Sequence, residues 1–568
     1  ALSVNTFVVD GTAPTVLSVS SSTVNGSYLV NDNITVTVTF TETVQVDNSS
    51  GNPRIRLETG STDQYATYLS GSSSTVLSFL YTIQAGDSSS DLDYQFPTSL
   101  SANGGTIRDL LQNDAVLTMD HAGADNSLGA NKAFVVNGGW SGTKQFGSAG
   151  EGAYGQGIAR DSNGNIYVAG NTLGDLDNNT NSGEGDIFLV KYNSSGTKQW
   201  TRLLGTSPYE FSLRSYVVGI ATTNVSGSIY IYVTGYTHTG LDSNSHSGGR
   251  DIFLTQYNDE GTKQWTRQLG SGDDENPLDV TADSDGNAYI VGYTTGSNLD
   301  GQTKSGSTDA FFVKYNSSGT KQWTELLGVS SPSGRQVTAQ GVTTDSSNNV
   351  YVVGSTNADL GGETKKAEDG FLIKYNSSFE VQWTKLLGCE GGCTVNSKDV
   401  AIDSSNNIYV VGTTSDFRDN QLNGQSNSSA GSNQSWDDMF IAKYNSSGVI
   451  QWTRLFGTNL RNEYVGGVAV DNSNIYVVGN TTGDITGDTN QGLNDTFIVK
   501  YNDSGTKQWE HLLGTSNQDH ATGVVADPNG FALYTGYTQG GLDGNSNSGS
   551  NSQPDVIIVN YDLNGTLQ

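Results

Sequence analysis

Proline, cysteine and methionine are scarce in this 568-residue chain, at 8, 2 and 2 residues. Basic residues are scarce too: 28 Lys and Arg stand against 58 Asp and Glu, a net charge of −30. Each shortage excludes something. A surface so acidic repels phosphate backbones and anionic lipids, so no nucleic-acid partner is expected. No apolar run reaches about 18 residues, so no membrane span is expected. No apolar 3.6-residue period survives beyond two turns, so helices of useful length are not expected either. The five histidines (His121, His238, His246, His511 and His520) show no His-Glu-x-x-His spacing, and no Gly-x-Ser-x-Gly elbow precedes a helix. Cys389 and Cys393, in Cys-Glu-Gly-Gly-Cys, read as a small local disulfide or as two idle thiols. A metal site there would need His or Cys partners that are absent nearby. The chain is therefore expected not to be an enzyme and to require no cofactor.

What is abundant is glycine, 71 residues, among dense Ser, Asn and Thr, with 9% aromatics. That composition fits many short strands joined by tight turns around a packed core. One strand-and-turn phrase recurs, ending in a Gln-Trp pair at Trp200, Trp265, Trp323, Trp383, Trp452 and Trp509. The next Trp would fall near position 569, where the chain stops at Gln568, while Trp140 lies 60 residues before Trp200 beside another Ser-Gly-Thr-Lys-Gln. Each copy divides into four strand signals, in the first copy Gly157–Asp161, Asn165–Ala169, Asp186–Tyr192 and Lys198–Leu204. Four antiparallel strands repeated radially make a β-propeller whose sheets bury both faces. First strands starting near Gly157, Gly219, Asp279, Gly341, Asp399, Gly467 and Gly523 give seven sheets. The last lacks its outer strand, and the strand from Trp140 to Gly147 is expected to supply it by pairing near Val556–Tyr561. These repeats resemble the bacterial seven-bladed propeller repeat family over residues 139–568. The resemblance implies the fold and a secreted habit but no fixed activity.

Residues 11–138 differ in character. Strict alternation in Ile34–Phe40 and Val76–Thr82 indicates antiparallel strands with one buried face, and about seven such runs make a β-sandwich. The phrases Asp10–Val16, Phe40–Val44, Gln84–Asp87 with Asp91–Tyr94, and Ser127–Val136 resemble bacterial immunoglobulin-like modules of surface adhesins. That resemblance implies calcium near module junctions, at Asp10, Glu42, Asp87 and Asp109. Residues 1–10 resemble a closing strand, although the module already has one at Lys132–Val136. An unpartnered strand carrying Leu2, Val4, Phe7, Val8 and Val9 could belong to a preceding module, or could add to a sheet edge on a neighbouring molecule and build a filament.

Long variable loops on a rigid frame are where binding usually resides. The longest insertion, Ser415–Asp437, carries Phe417 and Trp436, and the exit from the first sheet carries Tyr209 and Phe211. Exposed aromatics of this kind stack on sugars or anchor protein contacts. Asp186, Asp251, Asp309, Asp369, Asp438, Asp495 and Asp555 each open a third strand. They read as turn carboxylates accepting backbone N–H bonds, with calcium as the sharper alternative. The many Asn-x-Ser/Thr matches are explained by turn chemistry. The function expected is that of a secreted bacterial surface protein, adhesive or structural, self-associating or meeting cell-surface proteins or glycans. The alternative is a secreted hydrolase, or a glycan-binding propeller within a larger adhesin.

Overall fold

The computed structural model describes residues 11–568 except 30–31, 61–62, 85, 90, 139, 141, 184, 206–214, 331–333, 390–391, 416–420, 427–436, 458–462, 472, 486, 528–529 and 550–552. The chain forms two compact units that part between Ser141 and Gly142. No helix among the described residues is long and apolar enough to cross a membrane.

The first unit is built on the long strand Asn33–Asp47, where Ile34, Val36, Val38 and Phe40 are buried and the threonines between them are less so. It pairs antiparallel with Val16–Ser21 on one side and Ser74–Thr82 on the other. The sheet continues through Gln64–Ser70, Arg54–Leu57 and Leu100–Ser101. A second, three-stranded sheet sets Phe134–Asn137 parallel to Gly26–Leu29 and antiparallel to Ser88–Ser89. One core joins the two sheets, with Phe40, Phe79 and Tyr81 from the larger and Phe134 and Val136 from the smaller.

The second unit holds seven four-stranded antiparallel sheets, the blades of a propeller. In blade 1 the strands are Ala153–Arg160, Ile166–Thr172, Asp186–Tyr192 and Lys198–Leu204. The second and third strands are buried throughout, because each blade packs a neighbour on both faces. One core cluster accordingly unites Ile187 and Leu189 of blade 1 with Ile231 and Phe253 of blade 2. This burial explains near-continuous apolar runs in place of strict alternation. First strands of successive blades pack side by side, and Asp519–Ala526 of blade 7 returns to Ala153–Arg160 of blade 1.

Blade 7 takes its outer strand from the other end of the unit. Lys144–Phe146 pairs antiparallel with Asp555–Tyr561, setting Gln145 opposite Ile557 and Phe146 opposite Val556. In blade 2 Gln268 holds the place of Gln145, opposite Phe253. Counting back three residues from each glutamine puts Gly142, not Trp140, at the position of Trp265. Trp140 lies ahead of the strand, and Thr143–Gln145 take the place of Thr266–Gln268 in blade 2, not that of the turn their wording matches in the other copies. Without this strand the third strand would be left as an open edge.

Candidate functional site

The seven carboxylates at the heads of the third strands are structural. Asp186 accepts from Ser182 N at 3.0 Å, Asp251 from Ser247 N at 3.0 Å, Asp495 from Gln491 N at 2.7 Å and Asp555 from Ser548 N at 2.7 Å. Asp309 and Asp369 each accept two backbone N–H bonds. Every one also lies against the glycine that ends its outer strand. A Cβ on Gly205 would stand 1.7 Å from Asp186 Oδ1, and one on Gly457 2.2 Å from Asp438 Oδ1. Blade 7 repeats the arrangement across its two chain segments, where a Cβ on Gly147 would stand 1.9 Å from Asp555 Oδ1. Burial pushes the carboxyl of Asp495 up to about 6, with the charges of Asp519 and Asp484 adding to it.

A second repeated device joins blades at the opposite rim. Tyr167, Lys191 and Trp200 of blade 1 converge on Asp259 in the last turn of blade 2. The Tyr167 hydroxyl donates to Asp259 Oδ1 at 2.6 Å, the Lys191 ammonium pairs with the same carboxylate, and Trp200 Nε1 donates to its carbonyl at 3.1 Å. Blade 5 repeats the set with Tyr409, Lys443 and Trp452 on Asp503 of blade 6. The Lys443 ammonium and the Tyr409 hydroxyl hold Asp503 below the usual carboxylate range. The sequence reading missed this device, although Lys-Tyr-Asn and the strand-two tyrosine recur in register.

The propeller axis carries the cavity. Each first strand slips register at one level, between Gly155 and Gly157 in blade 1, Pro277 and Asp279 in blade 3, and Ser397 and Asp399 in blade 5. Such bulges re-aim side chains. Here the extra residues line a cavity of about 160 Å³, among them Gln156, Leu278, Gln340, Lys398 and Thr522. The next residue is glycine in five blades; in blade 4 space demands it, since a Cβ on Gly341 would meet Asp399 Cα at 2.9 Å. In blades 3 and 5 it is Asp279 and Asp399. Asp279 accepts from Val280 N at 2.7 Å and, across to blade 4, from Val342 N at 2.8 Å. Asp399 does the same with Val400 N at 2.7 Å and Val468 N of blade 6 at 2.8 Å. Burial pushes both carboxyls up; the charge of Asp399 adds to the effect on Asp279, which reaches about 8, and Lys398 opposes it. The signal was present in the sequence as two aspartates in a column of glycines.

The other expected site residues are placed as follows. Tyr209, Phe211, Phe417 and Trp436 lie outside the described residues, as do Leu2, Val4, Phe7, Val8, Val9 and Asp10. Asp87 is buried beneath Tyr81, whose hydroxyl donates to it at 2.6 Å, while Gln84 N donates at 2.8 Å; burial raises its pKa. Asp109 closes its own turn on Leu111 N and Asn113 N at 2.7 and 2.9 Å. Burial acts upward on it, but these bonds and that of the Asn113 amide carry it lower. Glu42 is half-buried on the strand Asn33–Asp47. Among the described residues no three His, Cys, Asp or Glu side chains come together to hold a metal ion. Cys389 and Cys393 form a disulfide, their Cα atoms 5.7 Å apart, and both are buried in the core between blades 4 and 5.

The family described as beta-propeller repeat matches residues 142–177, 264–300, 322–361, 382–417, 451–486 and 508–543. Each match runs from the outer strand of one blade into the next, and the first includes the strand that completes blade 7. The chain carries β-propeller repeats. Over 345 residues the propeller protein is 24% identical to an uncharacterized WD repeat-containing protein of Acanthamoeba polyphaga mimivirus, covering 53% of this chain and 22% of that one. Over 168 residues it is 26% identical to the regulatory protein FlaEY of Caulobacter vibrioides, covering 28% and 18%. The matched stretches thus span about a fifth of each curated relative. Among solved structures, a protein of unknown function from Dyadobacter fermentans is 11% identical with a TM-score of 0.37, over 74% of this chain and 99% of that one. A Synechocystis apocarotenoid oxygenase is 12% identical with a TM-score of 0.35, over 75% and 92%. At these scores neither likeness bears on activity.

Proposed function

We propose that this chain is a secreted bacterial surface protein in which the propeller recognises a partner and the first unit, an immunoglobulin-like module, spaces or assembles it. One observation carries the reading. The carboxylates that a hydrolytic propeller would use are committed to holding the ring: the third-strand acids to turn N–H groups and glycines, and Asp279 and Asp399 to the N–H groups of neighbouring blades. A rigid ring with its acids so engaged serves as a frame for recognition. Assembly would proceed through residues 1–10 added to a neighbour's sheet edge, with calcium as a possible stiffener through Asp10 and Glu42. Electron microscopy and light scattering of the full chain, beside a variant lacking residues 1–10, test this. Filaments or layers that vanish on truncation are expected; a full chain that stays monodisperse at high concentration would refute assembly.

The second reading, a secreted hydrolase, would draw on Asp279 and Asp399, two carboxyls that burial raises and that line one cavity on the axis. Under that reading, glycan cleavage by the chain should be abolished by Asp279→Asn.

A further inference from the structure

Just ahead of its bulge, each first strand offers one residue at the mouth where first strands begin and second strands end. Its register partner on the second strand lies at the same level. In blade 2 the pair is Tyr216 with Tyr236, and in blade 7 it is His520 with Tyr537. Blade 3 sets Asn276 against Tyr293, while blades 1 and 6 bring Tyr154 and Tyr464, each facing an asparagine. Five consecutive blades, 6, 7, 1, 2 and 3, therefore carry an aromatic ring at one level. Blades 4 and 5 carry none and present Thr338 with Ser355 and Asn396 with Thr413.

Within the arc the rings pair in two groups, one across blades 7 and 1 and one within blade 2. Tyr154 meets Tyr537 edge-on at 5.2 Å, His520 stacks on Tyr537 at 4.7 Å, and Tyr216 stacks on Tyr236 at 5.1 Å. None of these tyrosines is fully buried, and Tyr464 is 48% exposed. Packing does not demand them. Blades 4 and 5 keep the same register and the same bulge with small polar side chains at this level. The core aromatics stand elsewhere: the fully buried Tyr167, Tyr351 and Tyr409 lie at the other end of the second strands.

An aromatic arc facing a neutral hydroxyl and amide arc is the surface that a sugar needs, because a pyranose has an apolar C–H face and a rim of hydroxyls. The net charge of −30 disfavours an anionic ligand. A cation is disfavoured within the arc itself, where the Arg250 guanidinium already covers Tyr236 at 4.7 Å. Accordingly, we propose that this mouth binds an uncharged oligosaccharide, with tyrosines of blades 6, 7, 1 and 2 under its rings and Thr338 and Asn396 bonding its hydroxyls. The proposal rests on the recognition reading and names its site and ligand class.

The test is calorimetric titration of the full chain with maltohexaose, cellohexaose, laminarihexaose and chitohexaose, with hexalysine as a cationic probe. At least one hexaose should bind. Tyr464→Ala, at an exposed position where the melting temperature should hold, is expected to weaken that binding about tenfold. Tyr537→Phe, which keeps the ring, should leave it within about twofold. The proposal is overturned if no hexaose binds, if hexalysine alone binds, or if hexaose binding survives both Tyr464→Ala and Tyr216→Ala. Capture of cells or a protein partner without hexaose binding would likewise overturn this site while leaving the recognition reading intact.

Discussion

Blade 2 and blade 7 make the same contacts along their outer strands, yet one is a continuous chain and the other is assembled from two segments. In blade 2, Gln268 donates to Asp251 Oδ2 at 2.8 Å and to the Thr239 carbonyl at 3.1 Å, and accepts from Leu241 N at 3.0 Å. In blade 7, Gln145 donates to Asp555 Oδ2 at 3.1 Å and to the Gly540 carbonyl at 2.9 Å, and accepts from Leu542 N at 2.9 Å. The glycine that ends the strand lies against the aspartate in both, Gly270 on Asp251 and Gly147 on Asp555, and a Cβ on either would stand 1.9 Å from Oδ1. Leu567 bridges to Tyr561, as Lys198 pairs with Tyr192 in blade 1, so the outer strand of blade 7 resumes there. What differs is the point between the two pieces, where the internal blades have a tryptophan and this one has Gly142. The tryptophans of the other blades cap the next blade's turn, as Trp509 does by donating to the Leu563 carbonyl at 3.1 Å. The comparison shows that side-chain contacts, not chain continuity, define the blade edge.

The largest effect should come from removing that edge. Deleting Thr143–Gly147 leaves Asp555–Tyr561 with unpaired backbone groups and strips the apolar face of blade 7. The melting temperature should fall by about 10 °C or more, with aggregation on heating. A synthetic peptide spanning residues 142–148 should restore part of the loss when added in trans. A deletion variant that melts like the parent would mean the ring is held closed by its first strands alone.

Smaller, and sharper as a comparison, is the glycine pair. Gly147→Val and Gly270→Val each drive a side chain into a buried carboxylate that holds a turn. Each should cost about 2–3 kcal/mol in chemical denaturation. Equal losses would establish that the composite blade is as tightly packed as a continuous one. A clearly smaller loss at Gly147 would show that the noncovalent edge yields where the covalent one cannot. Gln145→Ala and Gln268→Ala repeat the comparison at about 1–2 kcal/mol each, through two lost donor bonds and one lost acceptor.

These contacts also explain which features were legible in the sequence. The radial repeat was legible because Asp heads the third strand of all seven blades, Gln-Trp lies in the outer strand of six, and glycine recurs in most of the turns, at fixed offsets. The closing segment was legible as a strand, but its register was not. Ser141–Gln145 has the wording of the turn at Ser195–Gln199, whereas the structure uses Thr143–Gln145 as the strand Thr266–Gln268 is used in blade 2. The strand register and the contacts of Gln145 and Gly147 with Asp555 settle the offset, and they join residues some 410 positions apart. The aromatic mouth was not legible at all. Tyr154, Tyr216, Tyr464 and Tyr537 stand in four different repeats, none within a run, and they become one feature only when strand register aligns the blades.

The smallest expected effect separates blades 3 and 5 from the five glycine blades. Burial in the channel wall and the charge of Asp399 raise the carboxyl of Asp279 to about 8, against Lys398, which acts to lower it. A raised acid binds its proton more tightly in the folded than in the unfolded state. Stability from this group is therefore fully present below its unfolded value of about 4 and is lost as pH rises to about 8. The turn acid Asp503, held low chiefly by the Lys443 ammonium, has the opposite sign, and its contribution is lost only as pH falls below about 4. Melting temperature measured between pH 4 and pH 9 should thus decline for the parent chain. Asp279→Asn, which keeps an acceptor oxygen for a backbone N–H but no titrating group, should flatten that decline, while Asp503→Asn should leave it in place. Because the charge of Asp399 helps to raise Asp279, Asp399→Asn alone should lower the titration of Asp279 and flatten the profile in part, and the double variant should flatten it further. A parent profile that is flat over this range, or one unchanged by Asp279→Asn, would show that the two channel acids carry no more strain than the glycines they replace.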